Sequence, residues 1–504
     1  MTKITYLATL SLLLSLAAAA QPVTFTVSMD NPAAHYFRVV MQCHGLEGKT
    51  RDFKMPVWTP GYYQRLDFAN NLDSFSVTDG NARPLTWEKT SGNTWRVQSN
   101  DAAALTISYI IRTKRAFVAT PYLDDTRGYI SPAGVFLHPA GKLQQPVQVV
   151  IKPFTAWKDV ATGLDTVAGK PYTYTAPDYD ALYDSPLLIG NLEELPAFTV
   201  SGIPHRFIGY RSGDFDKAQF MNDLKKIVET ASAIIGHIPY RQYVFIAIGP
   251  GAGGIEHANS TTISFNGAGL SAPKERLRLL NFIAHEYFHH YNVKRIRPVE
   301  LGPFDYDNGS RTKMLWVSEG LTVYYEYLIL RRAGLSTEED LFNNIRSNIA
   351  AFETKTGKLY QSLAEASYET WRDGPFGRTA DTVVKTISYY DKGPVVGMLF
   401  DFAIRHATKN QRSLDDVMRR LYREFYQQKQ RGFTEQELRA VIESTAGTRL
   451  DELFEYIYTT KEINYQKYLA YAGLAMGSDY KITRIQNPDA LQASILESWQ
   501  GKGQ

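Results

Sequence analysis

A change of hydrophobic period near residue 200 limits what this 504-residue chain can fold into. Before it, "VTFTVSM" and "ALTISYIIRT" alternate apolar and polar residues, and "SFSVTDGNARPLTW" carries a turn at Asp79–Gly80. After it, "FDKAQFMNDLKKIVETASAIIG" repeats with helical spacing behind the capping pair Gly213–Asp214 and stops at Gly236. A chain of this length exceeds one ordinary core. The expectation is a multidomain α+β protein. A β-sandwich or saddle-shaped domain covers residues 21–200, a mixed α/β domain 201–395, a helical domain 396–470 and a short tail 471–504. The 13% aromatic content suits β-rich structure and apolar clefts.

The formal charge of +3 is nearly neutral for this size and gives no reason to expect nucleic acid or an anionic membrane as a partner. Residues 1–20 read as a leader: Lys3 starts it, Ile4 to Leu16 are mostly apolar, and Ala18-Ala19-Ala20 offers a cleavage site. The expected location is periplasmic or secreted, without membrane insertion, because no later stretch reaches the length a membrane helix needs. Cys43 is the only cysteine, so no internal disulfide forms. It lies in the alternating run "HYFRVVMQCHG" and is expected to be a buried thiol.

The stretch "HEYFHHYNVKRIRP", residues 285–298, carries the chemistry. Ser271 as N-cap, Pro273 in the first turn and Glu275 near the positive end place His285 and His289 on a helix. Four residues apart, their rings lie above one another and can share one ion, with Glu286 placed to touch water on it. Two histidines packed in a helical core is the other reading of the same spacing. His290 points about 100° away and is not expected to bind. A second helix, expected from Ser310 to Gly334, carries Glu319 amid Leu315, Trp316, Tyr324 and Leu328. An unpaired carboxylate on that apolar surface is costly. A Zn2+ ion, one per chain, held by His285, His289 and Glu319 removes the cost and keeps a fourth position open. A salt-bridged or solvated glutamate is the alternative.

The metal helix with "NVKRIRP" and then "LWVSEG" resembles the glycyl aminopeptidase family of gluzincin zinc metallopeptidases. "PVWTPGYY" at 56–63 and "DSPLLIGN" at 184–191 are similar to that family's N-terminal motifs, so the likeness spans residues 21 to 470. It implies a thermolysin-like catalytic domain with His285, His289 and Glu319 as ligands and Glu286 as general base. Gly253-Gly254-Ile255-Glu256-His257 resembles the exopeptidase motif of related aminopeptidases, in which the glutamate binds the substrate's α-ammonium. Its glycines allow close backbone approach; a glycine-rich turn with a solvated glutamate is the bland reading. "SYYDKG" resembles the segment supplying a catalytic tyrosine, which falls on Tyr390, a donor to the developing oxyanion. In a chain of 32 tyrosines a packing role competes with that assignment. Many family members continue into a PDZ domain, and the segment from 471 to 504 is too short to form one.

The expected function is a zinc-dependent aminopeptidase that cleaves peptides with a free N-terminus, with small first residues such as glycine or alanine implied by the resemblance. An endopeptidase on the same metal chemistry and a peptide- or glycan-binding protein with a structural zinc are the rivals.

Overall fold

The computed structural model describes residues 21–45, 47–114, 116–250, 253–378 and 384–502; the leader expected at 1–20 lies outside the described residues. The N-terminal part is β-rich. A seven-stranded sheet is built around Val23–Ser28, which pairs parallel with Val147–Lys152 and antiparallel with Tyr36–His44. Two four-stranded sheets complete it, one around Thr50–Lys54 and Thr94–Gln98, the other around Arg127–Ile130 and Leu187–Gly190. The alternation read in the sequence is the alternation of burial. Val23, Phe25 and Val27 are fully buried, with half-exposed residues between them. Cys43 is buried in this sheet, and burial pushes its thiol up to about 12, so it is a packing residue. Among the described residues of this β-rich part, besides short 3-10 turns, one α-helix, Tyr179–Tyr183, forms, capped by Asp178.

A mixed sheet follows. Ile203–Gly209, Tyr243–Ala247 and Ser260–Ile263 run parallel, and Gly254–Glu256 pairs antiparallel at the edge. Every residue of Tyr243–Ala247 is buried, as a parallel strand covered on both faces requires. Its two faces belong to different cores. Tyr243, Phe245 and Ala247 join the helices, whereas Val244 and Ile246 pack with Tyr129, Ala161 and Leu188 of the N-terminal part. One sheet thus fastens the β-rich part to the helical part.

The helix Lys217–Ile235 is capped by Asp216, not by the pair Gly213–Asp214, and ends at Gly236 in left-handed backbone. Asp216 takes the role because its carboxylate accepts from the Gln219 backbone N–H. Three further helices position the site: Pro273–Phe288 (the histidine helix), Leu321–Arg332 (the glutamate helix) and Tyr389–Ala407 (the tyrosine helix). The tyrosine helix runs unbroken across residue 395 and shares one core with the histidine and glutamate helices and with the helices after it. The last segment is folded too. Leu474–Met476 and Ile482–Arg484 form a hairpin, and Ala490–Trp499 is a helix whose Trp499 is buried. Trp499 Nε1 donates to Tyr324 Oη at 2.7 Å, on the glutamate helix. No described helix is long and apolar enough to cross a membrane.

Candidate metal centre

The histidine helix starts at Pro273, with Ala272 in the cap position and no side-chain cap. Ser271, expected there, ends a preceding 3-10 turn and bonds the Ala268 carbonyl instead. The pre-set backbone of Pro273 starts the helix without it. His285 and His289 come from the last turn, where their rings meet edge to face with centroids 4.4 Å apart. Their Nε2 atoms are 2.9 Å apart.

The third donor arrives on irregular backbone. Residues 310–314 are not helical as expected. The chain enters through a π-helical turn, Trp316–Gly320, and only then becomes the glutamate helix. That wider turn directs Glu319 into the site. Glu319 Oε2 lies 3.3 Å from His289 Nε2 and 3.6 Å from His285 Nε2. One ligand atom from each residue falls within 4.8 Å of the others, and all three residues are buried.

The hydrogen bonds behind the histidines fix which nitrogen faces inward. His289 Nδ1 donates to the Asn292 carbonyl at 2.7 Å, an oxygen that can only accept. His285 Nδ1 donates to Glu326 Oε2 at 2.8 Å. In the neutral rings both Nε2 atoms then carry lone pairs aimed at one spot beside a carboxylate, the form a metal ion requires. Two imidazole lone pairs and a carboxylate oxygen form an N/O donor set that suits zinc and leaves an open position. The residues fit the metal. Asn292 also donates through Nδ2 to the Val317 and Ser318 carbonyls at 2.8 and 3.2 Å, tying the loop after the histidines to the π turn. Glu326 and Asn292 escaped the sequence reading. Glu326 lies seven residues after Glu319, on the same helix face, and that spacing was the available signal.

Electrostatics in this pocket are strongly coupled. Burial opposes charge on Glu319, but the two histidines hold it well below the usual carboxylate range. Burial opposes charge on His285, and its bonds to Glu319 and Glu326 outweigh that and raise it. Burial pushes the Glu286 carboxyl up to about 7 against the pull of His285 and His289. Glu286 touches the edge strand: a Cβ at Gly254 would lie 2.4 Å from Glu286 Oε1, so only glycine lets that strand pass so close. His290 faces away, packed against Tyr240, Tyr243 and Tyr287, with burial holding it neutral.

Tyr390 Oη donates to Glu319 Oε2 at 2.8 Å. The approach depends on two glycines. A Cβ on Gly320 would fall 2.6 Å from Gly393 Cα, so the glutamate and tyrosine helices cross backbone to backbone. Tyr389 is buried and bonds Thr370 at 3.1 Å.

A cleft of about 860 Å³ opens over His285 and Glu286. Gly253, Gly254 and Tyr390 line it, and the β-rich part closes it with Gly61, Tyr62 and Phe117. Glu256 is buried behind Gly61: a Cβ at Gly61 would lie 2.8 Å from Glu256 Oε2. Tyr63 is buried near both carboxylates, its phenol raised by burial and by Glu319 and Glu256.

Residues 24–191 match the family model of the Peptidase M61 N-terminal domain, and residues 278–396 match that of the M61 glycyl aminopeptidase. No curated protein sequence matches the chain significantly. Among solved structures, an aminopeptidase N family protein from Idiomarina loihiensis superposes with a TM-score of 0.84 at 25% identity, covering 90% of this chain and 78% of that one. An M1 zinc metallopeptidase from Deinococcus radiodurans shares the fold at 12% identity, with a TM-score of 0.53 over 88% of this chain and 95% of that one. A substituted form of the M1 enzyme from that organism, bound to a Tyr-Ser-Ala substrate, gives a TM-score of 0.54 at 12% identity, covering 88% of this chain and 95% of that one.

Proposed function

Because the chain belongs to the M61 glycyl aminopeptidase family, we propose that it is a zinc-dependent aminopeptidase cleaving the first peptide bond of peptides with a free N-terminus. The observation that carries this reading is the convergence of His285, His289 and Glu319 beneath a cleft that also exposes Glu286. Those three residues would hold the zinc. When bound, zinc supplies Lewis acidity, making water acidic enough to attack at neutral pH and polarising the substrate carbonyl.

The chain's own residues do the rest. Glu286 takes the proton of the attacking water on a carboxylate oxygen and returns it to the departing amine nitrogen. Tyr390 Oη donates to the carbonyl oxygen as it gains charge. The strand Gly254–Glu256, at the sheet edge, offers its backbone to the substrate, with Gly253 and Gly254 keeping the approach clear. Glu256 binds the N-terminal ammonium at the closed end of the cleft. Gly61 lines the cleft, and the point its Cβ would occupy is 2.8 Å from Glu256 Oε2, which supports ammonium access to that carboxylate past the glycine. The family description, glycyl aminopeptidase, supports glycine as a first residue, and the preference extends to alanine as another small residue. The apolar leader at residues 1–20 supports a periplasmic or extracellular location.

A panel of aminoacyl reporter peptides, free and N-acetylated, assayed with and without chelator, tests the reading. Chelator-sensitive cleavage of free peptides alone is expected. Equal cleavage of acetylated peptides would instead make the protein an endopeptidase, and activity that survives zinc removal would end the metal reading.

A further inference from the structure

Three motifs meet at a point that the roles above leave unused. Asp184, from "DSPLLIGN" in the β-rich part, pairs through Oδ1 with Lys294 Nζ at 2.8 Å and accepts there from His257 Nδ1 at 3.1 Å. Its Oδ2 accepts from the Ala258 backbone N–H at 2.8 Å. Lys294 belongs to "NVKRIRP", after the histidine helix, and its side chain is only 8% exposed. The same Nζ stands 3.9 Å from Glu256 Oε1, an oxygen that is buried and accepts no hydrogen bond among the described residues.

The distances decide which carboxylate holds the lysine. At 2.8 Å Lys294 and Asp184 form a close ion pair, whereas Glu256 stands more than an ångström further off, at 3.9 Å. Paired in this way, Lys294 and Asp184 nearly cancel as seen from the cleft, and Glu256 keeps its negative charge for an incoming cation. Without Asp184, the nearest anion for this buried ammonium is Glu256, and a buried charge does not stay unpaired. The chain's own lysine would then take the place of the substrate's ammonium. Asp184 stays ionised in this setting. Burial opposes its charge, but Lys294 and His257 hold the carboxyl well below the usual range. His257, at a place where the resemblance left no role, supplies the second contact that fixes Asp184.

We infer that Asp184 is a positioning residue for amine recognition: by holding Lys294 away from Glu256, it keeps that carboxylate free for the peptide's N-terminal ammonium. The inference rests on Glu256 being the ammonium's partner, as proposed above.

Steady-state kinetics on matched free and N-acetylated peptides test it, using Asp184→Asn, Lys294→Met, the double variant and Glu256→Ala, each checked for zinc content and thermal unfolding. Asp184→Asn is expected to raise KM for free peptides about tenfold or more, with kcat and zinc content little changed. The double variant is expected to bring KM back towards wild type, because the competing cation has gone. A purely structural role for Asp184 gives no such rescue by a second buried substitution. Unchanged KM in Asp184→Asn, or a double variant as impaired as the single, overturns the inference. If Asp184→Asn does not fold, Lys294→Met alone decides: an unchanged or lower KM supports the inference, and a KM raised as in Glu256→Ala overturns it. Glu256→Ala separates the two levels. If it alters neither KM nor the preference for free peptides, the ammonium site itself has been misplaced. If it does and Asp184→Asn does not, only the role of Asp184 falls.

Discussion

Glu286 and Glu326 are two buried carboxylates with different duties, and substitution separates them. Glu286 faces the cleft without being among the three candidate metal donors, so Glu286→Gln is expected to keep zinc while losing turnover by at least about a hundredfold. Glu326 stands behind His285 and fixes its tautomer, so Glu326→Ala is expected to weaken zinc binding by about 10- to 100-fold, read by chelator competition. His285 and His289, by their spacing, and Glu319, by its apolar surroundings, were legible in the sequence as a group that the fold brings together. Glu326 and Asn292 were not, because a glutamate on a tyrosine-rich helix and an asparagine after a helix end have many ordinary explanations. Asn292 orients His289 through its backbone carbonyl, which no residue identity discloses, while its side-chain amide ties the π turn.

At the level of elements, periodicity located the helices, but neither the edge strand Gly254–Glu256, which falls where a glycine-rich turn was the plain reading, nor how the second helix begins. A π turn leaves no periodic trace over one turn, so the helix was expected five residues too early, from Ser310, whereas Leu315 caps the turn in the structure. The glycines of "SEGL" and "DKGP" have their reason only in the crossing of two helices that are distant in sequence. A methyl group at Gly320 must push the tyrosine helix away from the glutamate helix. Gly320→Ala is therefore expected to cost about 1–3 kcal/mol of stability and to weaken zinc binding, because Glu319 is the residue before it. Thermal unfolding with and without added zinc measures both effects. A variant as stable as wild type, with unchanged zinc affinity, would show that the crossing yields easily.

Across the whole molecule, two buried histidines outside the candidate ligand set contribute to its acid response. His138 lies in the β-rich part, bonded to Tyr183 Oη at 2.9 Å, and His205 lies on the mixed sheet, bonded to Tyr240 Oη at 2.8 Å. Burial lowers both imidazoles from 6.5 to about 4. Their folded values lie below the unfolded value, so between pH 4 and 6.5 the unfolded chain binds more protons. Each contribution is complete above pH 6.5 and is lost as the pH falls towards 4. The expected size is roughly 1–3 kcal/mol per histidine. His138→Gln should flatten the dependence of Tm on pH in that window, and an unchanged slope would show that His138 titrates normally. The C-terminal segment adds a different kind of coupling. Trp499 is pinned to Tyr324 on the helix that also carries Glu326 and follows Glu319. A ligand that binds only the folded site stabilises every segment whose opening disturbs that site. The vulnerability of the last thirty or so residues to a protease therefore becomes a remote gauge of metal loading: resistant when zinc is held, clipped when it is stripped.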